Sequence, residues 1–272
     1  ANYIGRSSGA VDVTGTAGGT GSETVFEQAT SRYVASAYDT NTNRVVIAYA
    51  DNGNSQYGTA IVGTVSGTSI SFGSPVVFET AEVQNVSVVF DNNSNKIVIA
   101  YADEGNSSHG TAIVGTVSGT AISFGSAVVF EAANSATIFA TFDSNSNKVV
   151  IAYEDKGNSD YGTAIVGTVS GTSISFGTAV VFEQAEVSGN SIKAAFDSSS
   201  NKIVIVYRDS GNSSYGTAIV GTVSGTGISF GTAVVFNAAT TNSNGVPIID
   251  TDNNKVIVSY KDSGNSHYGT AR

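Results

Sequence analysis

Five loops carry the side chains best suited to bind a ligand. They share the pattern Asp-x-Gly-Asn-Ser-x-Tyr/His-Gly, first seen as "DNGNSQYG" from Asp51. Tyr or His offers a flat apolar surface for a sugar ring, and Asp and Asn offer directional hydrogen bonds to hydroxyls. We therefore expect repeated carbohydrate sites. The candidate ligand-binding residues are Asp51, Asn54, Tyr57, Asp103, Asn106, His109, Asp155, Asn158, Tyr161, Asp209, Asn212, Tyr215, Asp262, Asn265 and Tyr268.

The same loop residues also have a purely structural interpretation. Asp and Asn side chains accept hydrogen bonds from a loop backbone, Gly accepts a positive φ, and Tyr can pack between neighbouring units. The two interpretations are compatible, because a stiff loop is also a good place for a binding site. The sequence leaves both open.

A second series of polar turns has a pattern related to calcium sites. "DNNSN" places Asp91, Asn93 and Asn95 at alternate positions, which resembles the start of a calcium-binding loop. The Gly at position 6 and the bidentate Glu at position 12 of such loops are missing. A plain hairpin turn, in which Asp accepts from the backbone, is the favoured interpretation, and we expect no metal and no cofactor.

The acidic residues do not suggest a catalytic pair. A glycoside hydrolase needs two carboxyl groups in different environments. The Glu series Glu27, Glu79, Glu131 and Glu183 has equivalents from copy to copy, so no unique pair stands out. The two histidines fall at different offsets of the motif. We therefore expect that the protein is not an enzyme.

An internal repeat sets the positions of all these residues. Its period is shown by the glycines of the "GTA" motif, which are Gly58, Gly110, Gly162, Gly216 and Gly269. Each unit of about 52–54 residues contains four short β-branched runs, which in the second unit are 86–91, 96–103, 111–117 and 121–130. Four strands in a unit of this length predict a blade of a β-propeller. The run "KIVIAYAD" is apolar at consecutive positions, which predicts a sheet covered on both faces.

The two ends of the chain look complementary. The last copy stops at Arg272 within its third strand, and Val25-Phe26-Glu27 matches Val77-Phe78-Glu79. We expect one all-β domain over 1–272, a five-bladed β-propeller of four-stranded blades. Its repeats would cover approximately 29–80, 81–132, 133–184 and 185–238, with 239–272 and 1–28 sharing the last blade. Closing the ring in this way removes exposed strand edges.

Composition narrows the possible partners. The net charge of −10 disfavours nucleic acid and anionic membrane surfaces, which attract basic proteins. No apolar run approaches the roughly 18 residues of a membrane-spanning helix. Cysteine is absent, which excludes disulfides, thiolate metal ligands and a cysteine nucleophile. Methionine is also absent, even at position 1, so we expect a processed product or a piece of a longer chain.

Three resemblances add to this interpretation. Asp51, Gly53 and Ser55 match positions of the Asp-box of sialidase-type propellers, whose role is structural, although Tyr49 and Gln56 depart from its pattern. The unit number, unit length and near-identity of the copies resemble the five-bladed tachylectin-type lectins, and that resemblance implies repeated amino-sugar sites. The wording "GTAIVGTVSGTSISFG" is similar to repeats of surface or tail-fibre-like proteins of marine bacteria and phages.

These arguments predict a multivalent lectin-like module with shallow sites on one face of the propeller. Its partners would be glycans on a cell surface or glycoprotein, and its location extracellular, at a cell surface or on a virion. The main alternative is a structural or protein-interaction propeller of a larger surface or virion protein, without a small-molecule site. A glycoside hydrolase is a distant third. The sequence does not indicate the oligomeric state.

Overall fold

The computed structural model describes residues 21–187, 191–242 and 244–272. These residues form antiparallel strands joined by tight turns and by five 3-10 turns of three residues, one in each Asp-x-Gly-Asn-Ser loop. Each β-branched run pairs with the next because the Gly, Asn and Asp residues between them allow a sharp reversal. The predicted all-β, propeller-like fold is confirmed.

The strands follow the repeat. The first part of the chain contains β1 (Ser31–Asp39), β2 (Arg44–Asp51), β3 (Tyr57–Ser66), β4 (Ser69–Phe72), β5 (Val76–Asp91), β6 (Lys96–Asp103), β7 (His109–Ser118), β8 (Ala121–Phe124) and β9 (Val128–Asp143). The middle contains β10 (Lys148–Asp155), β11 (Tyr161–Ser170), β12 (Ser173–Phe176), β13 (Val180–Glu186), β14 (Lys193–Asp197), β15 (Lys202–Asp209), β16 (Tyr215–Ser224), β17 (Gly227–Phe230) and β18 (Val234–Asn242). The last part contains β19 (Ile248–Asp250), β20 (Lys255–Ile257), β21 (Ser259–Asp262) and β22 (Tyr268–Ala271).

Two long strands pass from one unit to the next. In β5, Glu82 pairs with Tyr57 of the preceding unit, whereas Val83 pairs with Asp103 of the following one. β9 does the same one repeat later. We number the units by these changes of partner: unit 1 is 31–82, unit 2 is 83–134, unit 3 is 135–186, unit 4 begins at Val187, which pairs with Asp209, and ends at 240, and unit 5 is 241–272.

The fourth strand of a unit is interrupted, which differs from the continuous strand predicted over 121–130. Pairing stops after Phe124 and resumes at Val128. A Cβ atom on Gly125, in the gap, would lie 1.9 Å from the carbonyl oxygen of Thr172 in the next unit. Only glycine allows the two backbones to approach so closely, so the interruption is where adjacent units meet.

The apolar core lies between the units. On β6, Ile97, Ile99 and Tyr101 face unit 1, whereas Val98 and Ala100 face unit 3. All five side chains are at most 1% exposed. The central strands are therefore covered on both faces, as their consecutive apolar residues predict.

The described units form an arc whose two ends do not pair. The Phe26 ring packs at a steep angle against Tyr49 with ring centroids 5.2 Å apart, as the Phe78 ring packs against Tyr101. Among the described residues, however, no backbone pairing joins 21–28 to β22, and no atom lies within 4 Å of a Cβ built on Gly269. Residues 1–20 lie outside the described residues, so ring closure and the five-blade count stay predictions.

Candidate functional site

Each Asp-x-Gly-Asn-Ser loop is a 3-10 turn that begins at its aspartate. The Asp51 carboxylate accepts a hydrogen bond of 2.8 Å from the backbone N–H of Gly53. In unit 4, Asp209 accepts one of 3.0 Å from the N–H of Asn212, and in unit 5 Asp262 accepts one of 2.9 Å from Gly264. Asp103 and Asp155 occupy the same N-cap position, but their side chains form no capping hydrogen bond there. In units 1, 4 and 5 the aspartates thus hold the shape of the loop, which is the structural role that the alternative interpretation assigned to them.

The other predicted loop residues differ in exposure. The asparagines of the loops are all exposed: Asn54, Asn106, Asn158, Asn212 and Asn265. Tyr57, His109, Tyr161 and Tyr215 are half-buried, and Tyr268 is 62% exposed. Within a unit the structure brings these groups into one loop, but the loops belong to separate units. Each loop therefore contributes only one wall of any shared site.

A polar pocket lies where two units meet beside these loops. It has a volume of about 260 Å³ and opens to solvent between units 2 and 3. The polar residues that line it are Gln84, Asn85, Glu104, Ser108, Asn134, Ser135 and Lys156. Asn85 lies in a bulge of β5 with φ of 52°, a left-handed conformation that Asn tolerates better than most residues.

The pocket uses positions of the loop that the sequence motif leaves variable. Glu104 and Ser108 are the two x residues of Asp-x-Gly-Asn-Ser-x-His, and they line the pocket. Asp103, Asn106 and His109 do not. Sequence reasoning selected the residues that are constant between copies, but these shape the loop. The signal that could have found the pocket is the divergence of the x positions and of the junctions.

Side chains beside the groove between units 1 and 2 form hydrogen bonds with one another. The Arg32 guanidinium donates to the side-chain oxygen of Gln56 at 3.5 Å, and the Tyr33 hydroxyl donates to that of Gln84 at 3.2 Å. Arg32, Tyr33 and Gln56 occupy the positions that Gln84, Asn85 and Ser108 occupy in the next unit, where these three line the pocket between units 2 and 3. The grooves are therefore related in backbone but unequal in chemistry.

The groove between units 3 and 4 contains an acidic group with no equivalent elsewhere. Glu154 is 7% exposed; Thr137 donates to its Oε2 at 3.0 Å, and Lys156 Nζ lies 3.5 Å from its Oε1. Burial raises the pKa of Glu154 above its usual value, and the nearby Asp160 adds to the increase. Glu154 lies outside the Glu series on which the absence of a unique catalytic pair was argued, and the equivalent residues in the other units are Ala50, Ala102, Arg208 and Lys261.

The series of Glu27, Glu79, Glu131 and Glu183 forms hydrogen bonds between neighbouring units. The hydroxyl of Tyr101 is buried and donates to Glu79 Oε2 at 3.1 Å. The equivalent bonds are Tyr49 to Glu27, Tyr153 to Glu131 and Tyr207 to Glu183. Burial beside a carboxylate raises the pKa of each of these tyrosines well above the usual range. These glutamates thus hold one unit against the next.

The calcium candidate, Asp91 with Asn93 and Asn95, forms a hairpin turn in which the Asp91 carboxylate accepts hydrogen bonds from the turn itself. Asp91 Oδ1 accepts from the backbone N–H groups of Asn93 and Ser94, and its Oδ2 accepts from the Ser94 hydroxyl at 2.7 Å. Asn95 takes φ of 54° to close the turn. Within residues 21–187, 191–242 and 244–272, no group of three or more His, Cys, Asp or Glu side chains is arranged to hold a metal ion. No helix of the same residues is long and apolar enough to cross a membrane.

The fold is shared with carbohydrate-binding and carbohydrate-cleaving proteins. No protein-family model and no curated protein matches the sequence. Solved structures do match: AofleA from Arthrobotrys oligospora has a TM-score of 0.55 and 8% identity over 89% of this chain and 66% of its own. The SapL1 lectin in complex with alpha methyl fucoside has a TM-score of 0.54 and 14% identity over 88% and 74%. This chain therefore spans about two thirds of the AofleA chain, and at these identities the likeness shows the fold alone.

A third structure corrects the prediction that the protein is not an enzyme. An exo-beta-1,3-galactanase from Phanerochaete chrysosporium, solved with beta-1,3-galactotriose, matches with a TM-score of 0.53 and 11% identity over 90% of this chain and 57% of its own. A glycan-cleaving enzyme thus has the same fold. The exclusion of catalysis from repetition alone was wrong, because units with a common backbone can carry unlike side chains, as Glu154 shows.

Proposed function

We propose that this chain is a carbohydrate-binding module whose sites are the grooves between neighbouring units, on the face that carries the Asp-x-Gly-Asn-Ser loops. The observation that carries this proposal is the open polar pocket between units 2 and 3. Its lining combines amide, hydroxyl, carboxylate and ammonium groups, which together donate and accept hydrogen bonds as sugar hydroxyls require.

The size of the pocket favours a single sugar ring. Its volume of about 260 Å³ is just below the range of pockets that bury drug-sized ligands, roughly 300–1,000 Å³. Such a shallow site gives low affinity by itself. Grooves with a related backbone but different side chains recur around the arc, and weak sites that are linked can gain roughly 10²–10⁴ in avidity when they engage one surface together.

The comparisons support the same class of ligand. The matching structures include a lectin that holds a fucoside and a galactanase that holds a galactose oligosaccharide. Other proteins with a similar fold therefore bind carbohydrates. For this chain we propose glycans of a cell surface or glycoprotein as the partners, and an extracellular, cell-surface or virion location.

A glycan array at high protein density tests the proposal, followed by titration of the best neutral ligand. Asn134→Ala removes an exposed amide that lines the pocket, and we expect an affinity loss of about 5–10-fold, equivalent to one hydrogen bond. Asn93→Ala is the matched control, since Asn93 is equally exposed but lies in the hairpin at the opposite end of β6. It should leave binding unchanged.

The loop aromatics provide a second test. Replacing Tyr57, Tyr161 and Tyr215 with Ala should abolish binding with the fold retained if these rings contact sugar. Loss of the folded state in circular dichroism would assign them to packing. If the unaltered protein binds no glycan at high density, the carbohydrate proposal fails, and a structural or protein-interaction propeller takes its place.

A further inference from the structure

Arg208 places a positive charge in the groove between units 4 and 5, where no described residue forms an ion pair with it. Its guanidinium donates to Asn242 Oδ1 at 3.2 Å and to Ser214 Oγ at 3.0 Å. Its Nε is buried and has no hydrogen-bond acceptor. In the part of the chain that the structure describes, the single ion pair joins Lys156 to Glu154, so no carboxylate neutralises Arg208.

The surroundings of Arg208 form a chain of neutral polar groups. Asn242 accepts from Arg208 and donates through Nδ2 to Ser263 Oγ at 2.9 Å. Ser263 Oγ in turn lies 3.0 Å from His267 Nδ1. This chain connects the loop of unit 4 to the loop of unit 5 and fixes the guanidinium from one side. Hydroxyl, amide and imidazole groups hold the cation in place without cancelling its charge.

A guanidinium group that is fixed by neutral hydrogen-bond partners and forms no ion pair can still bind an anion. Removing a charge from water costs free energy that an opposite charge would offset. The planar fork of arginine matches a carboxylate through two parallel hydrogen bonds. We propose that the groove between units 4 and 5 binds the carboxylate of an acidic sugar, with Arg208 as the anchor and the neighbouring hydroxyls contacting the ring. This inference rests on the proposed function.

The adjacent groove is acidic on balance. Between units 3 and 4, the residue equivalent to Arg208 is Glu154, whose carboxylate pairs with Lys156 at 3.5 Å, and Asp160 lies close enough to raise the pKa of that carboxyl group, so two acidic groups stand against one ammonium group. Like charges brought together at a binding site oppose association. An acidic sugar should therefore select the Arg208 groove and avoid the Glu154 groove, so that a single chain would present sites of different specificity.

Paired sugars that differ only in the acid test the assignment. We would titrate the methyl glycosides of glucuronic and galacturonic acid against those of glucose and galactose, and the methyl glycoside of N-acetylneuraminic acid against its methyl ester. We expect at least one acidic sugar to bind about 10-fold more tightly than its neutral partner at low salt. The preference should shrink as salt is raised. The Arg208 Nε–H resonance should shift on binding.

Variants separate the role of Arg208 from net charge. Arg208→Ala should abolish the acidic preference and leave neutral sugars bound at the other grooves, and Arg208→Lys should restore only part of it, because lysine keeps the charge but loses the fork. Arg44→Ala removes the same charge at the opposite end of the units, where Arg44 donates to the Gly119 carbonyl. It should leave the preference intact.

Several outcomes would overturn the inference while the proposed function survives. These are an equal affinity for all acidic and neutral partners in the unaltered protein, a preference that persists in Arg208→Ala, and displacement of the acidic sugar by inorganic phosphate at equal concentration, which would indicate an unspecific anion site. Failure of every glycan to bind, neutral ones included, would instead reject the proposed function itself.

Discussion

The hydrogen bond between buried tyrosine and glutamate gives the sharpest test of how the units are held together. Tyr153 is 0% exposed, its hydroxyl lies 3.0 Å from Glu131 Oε2, and its ring packs edge to face against Phe130 with centroids 5.3 Å apart. Tyr153→Phe keeps the ring and removes only the hydroxyl. The change therefore isolates the hydrogen bond across the boundary between units 2 and 3.

The expected loss follows from the charge and burial of the pair. A hydrogen bond to a charged group contributes roughly 1.5–3 kcal/mol. Glu131 is half-buried, so water can reach its carboxylate once the hydroxyl is gone, and the lower part of that range applies. We expect the free energy of unfolding to fall by about 1.5–2 kcal/mol, and the melting temperature by about 3–8 °C for a domain of this size.

Unit 5 supplies the matched control. Tyr260 is 7% exposed and stacks on Phe236 at 5.1 Å, but Asn237 stands where the other units have glutamate. Among the described residues its hydroxyl has no hydrogen-bond partner. Tyr260→Phe should therefore change the free energy of unfolding by less than about 0.5 kcal/mol, because it keeps the packed ring and removes no hydrogen bond.

Urea unfolding and a double-mutant cycle complete the measurement. The coupling between Tyr153→Phe and Glu131→Gln should be about 1 kcal/mol or more, as found for residues in direct contact. If Tyr153→Phe costs no more than Tyr260→Phe, the bond contributes nothing and packing of the rings alone holds the units. A coupling near zero would lead to the same conclusion.

Three further predictions concern pH, packing and turns. Burial raises the pKa of Tyr153 above its usual 10.0, so the unfolded chain loses the hydroxyl proton at a lower pH than the folded chain does. The free energy of unfolding should therefore fall above pH 10 by about 1.4 kcal/mol per pH unit for each such tyrosine. In urea unfolding from pH 9 to 11, Tyr153→Phe should show a smaller fall than the unaltered protein, and the difference should equal the contribution of one tyrosine. Val114→Ala, at a side chain 0% exposed, should cost about 2–3 kcal/mol. Val220→Ala, at the equivalent side chain, which is 44% exposed, should cost under about 1 kcal/mol by the same assay; an equal cost would indicate that further chain covers this face, as the predicted ring closure requires. Asp91→Ala removes three accepted hydrogen bonds and should lower the melting temperature by about 2–6 °C in a thermal scan, whereas added calcium should leave that temperature unchanged.

The repeat made much of the architecture predictable. A period of about 52 residues with four β-branched runs specifies repeated four-stranded sheets, and consecutive apolar residues in "KIVIAYAD" predict coverage of both faces. The interruption at Gly125 was not predictable, because it depends on the approach of Thr172 from the next unit. Local patterns report local pairing, but they do not report which backbones meet across a unit boundary.

The candidate site shows the same division. The sequence alone determined the fold class, the position of five polar loops at one end of the units and the capping chemistry of their aspartates. Only the tertiary structure decided that the pocket is lined by the variable residues Glu104 and Ser108, that the Glu79 series bonds to buried tyrosines, and that Arg208 forms no ion pair with any residue that the structure describes. The physical reason is that each groove is shared by two units. Its charge and shape depend on side chains about one repeat apart in the chain, and no periodicity within a single unit contains that information.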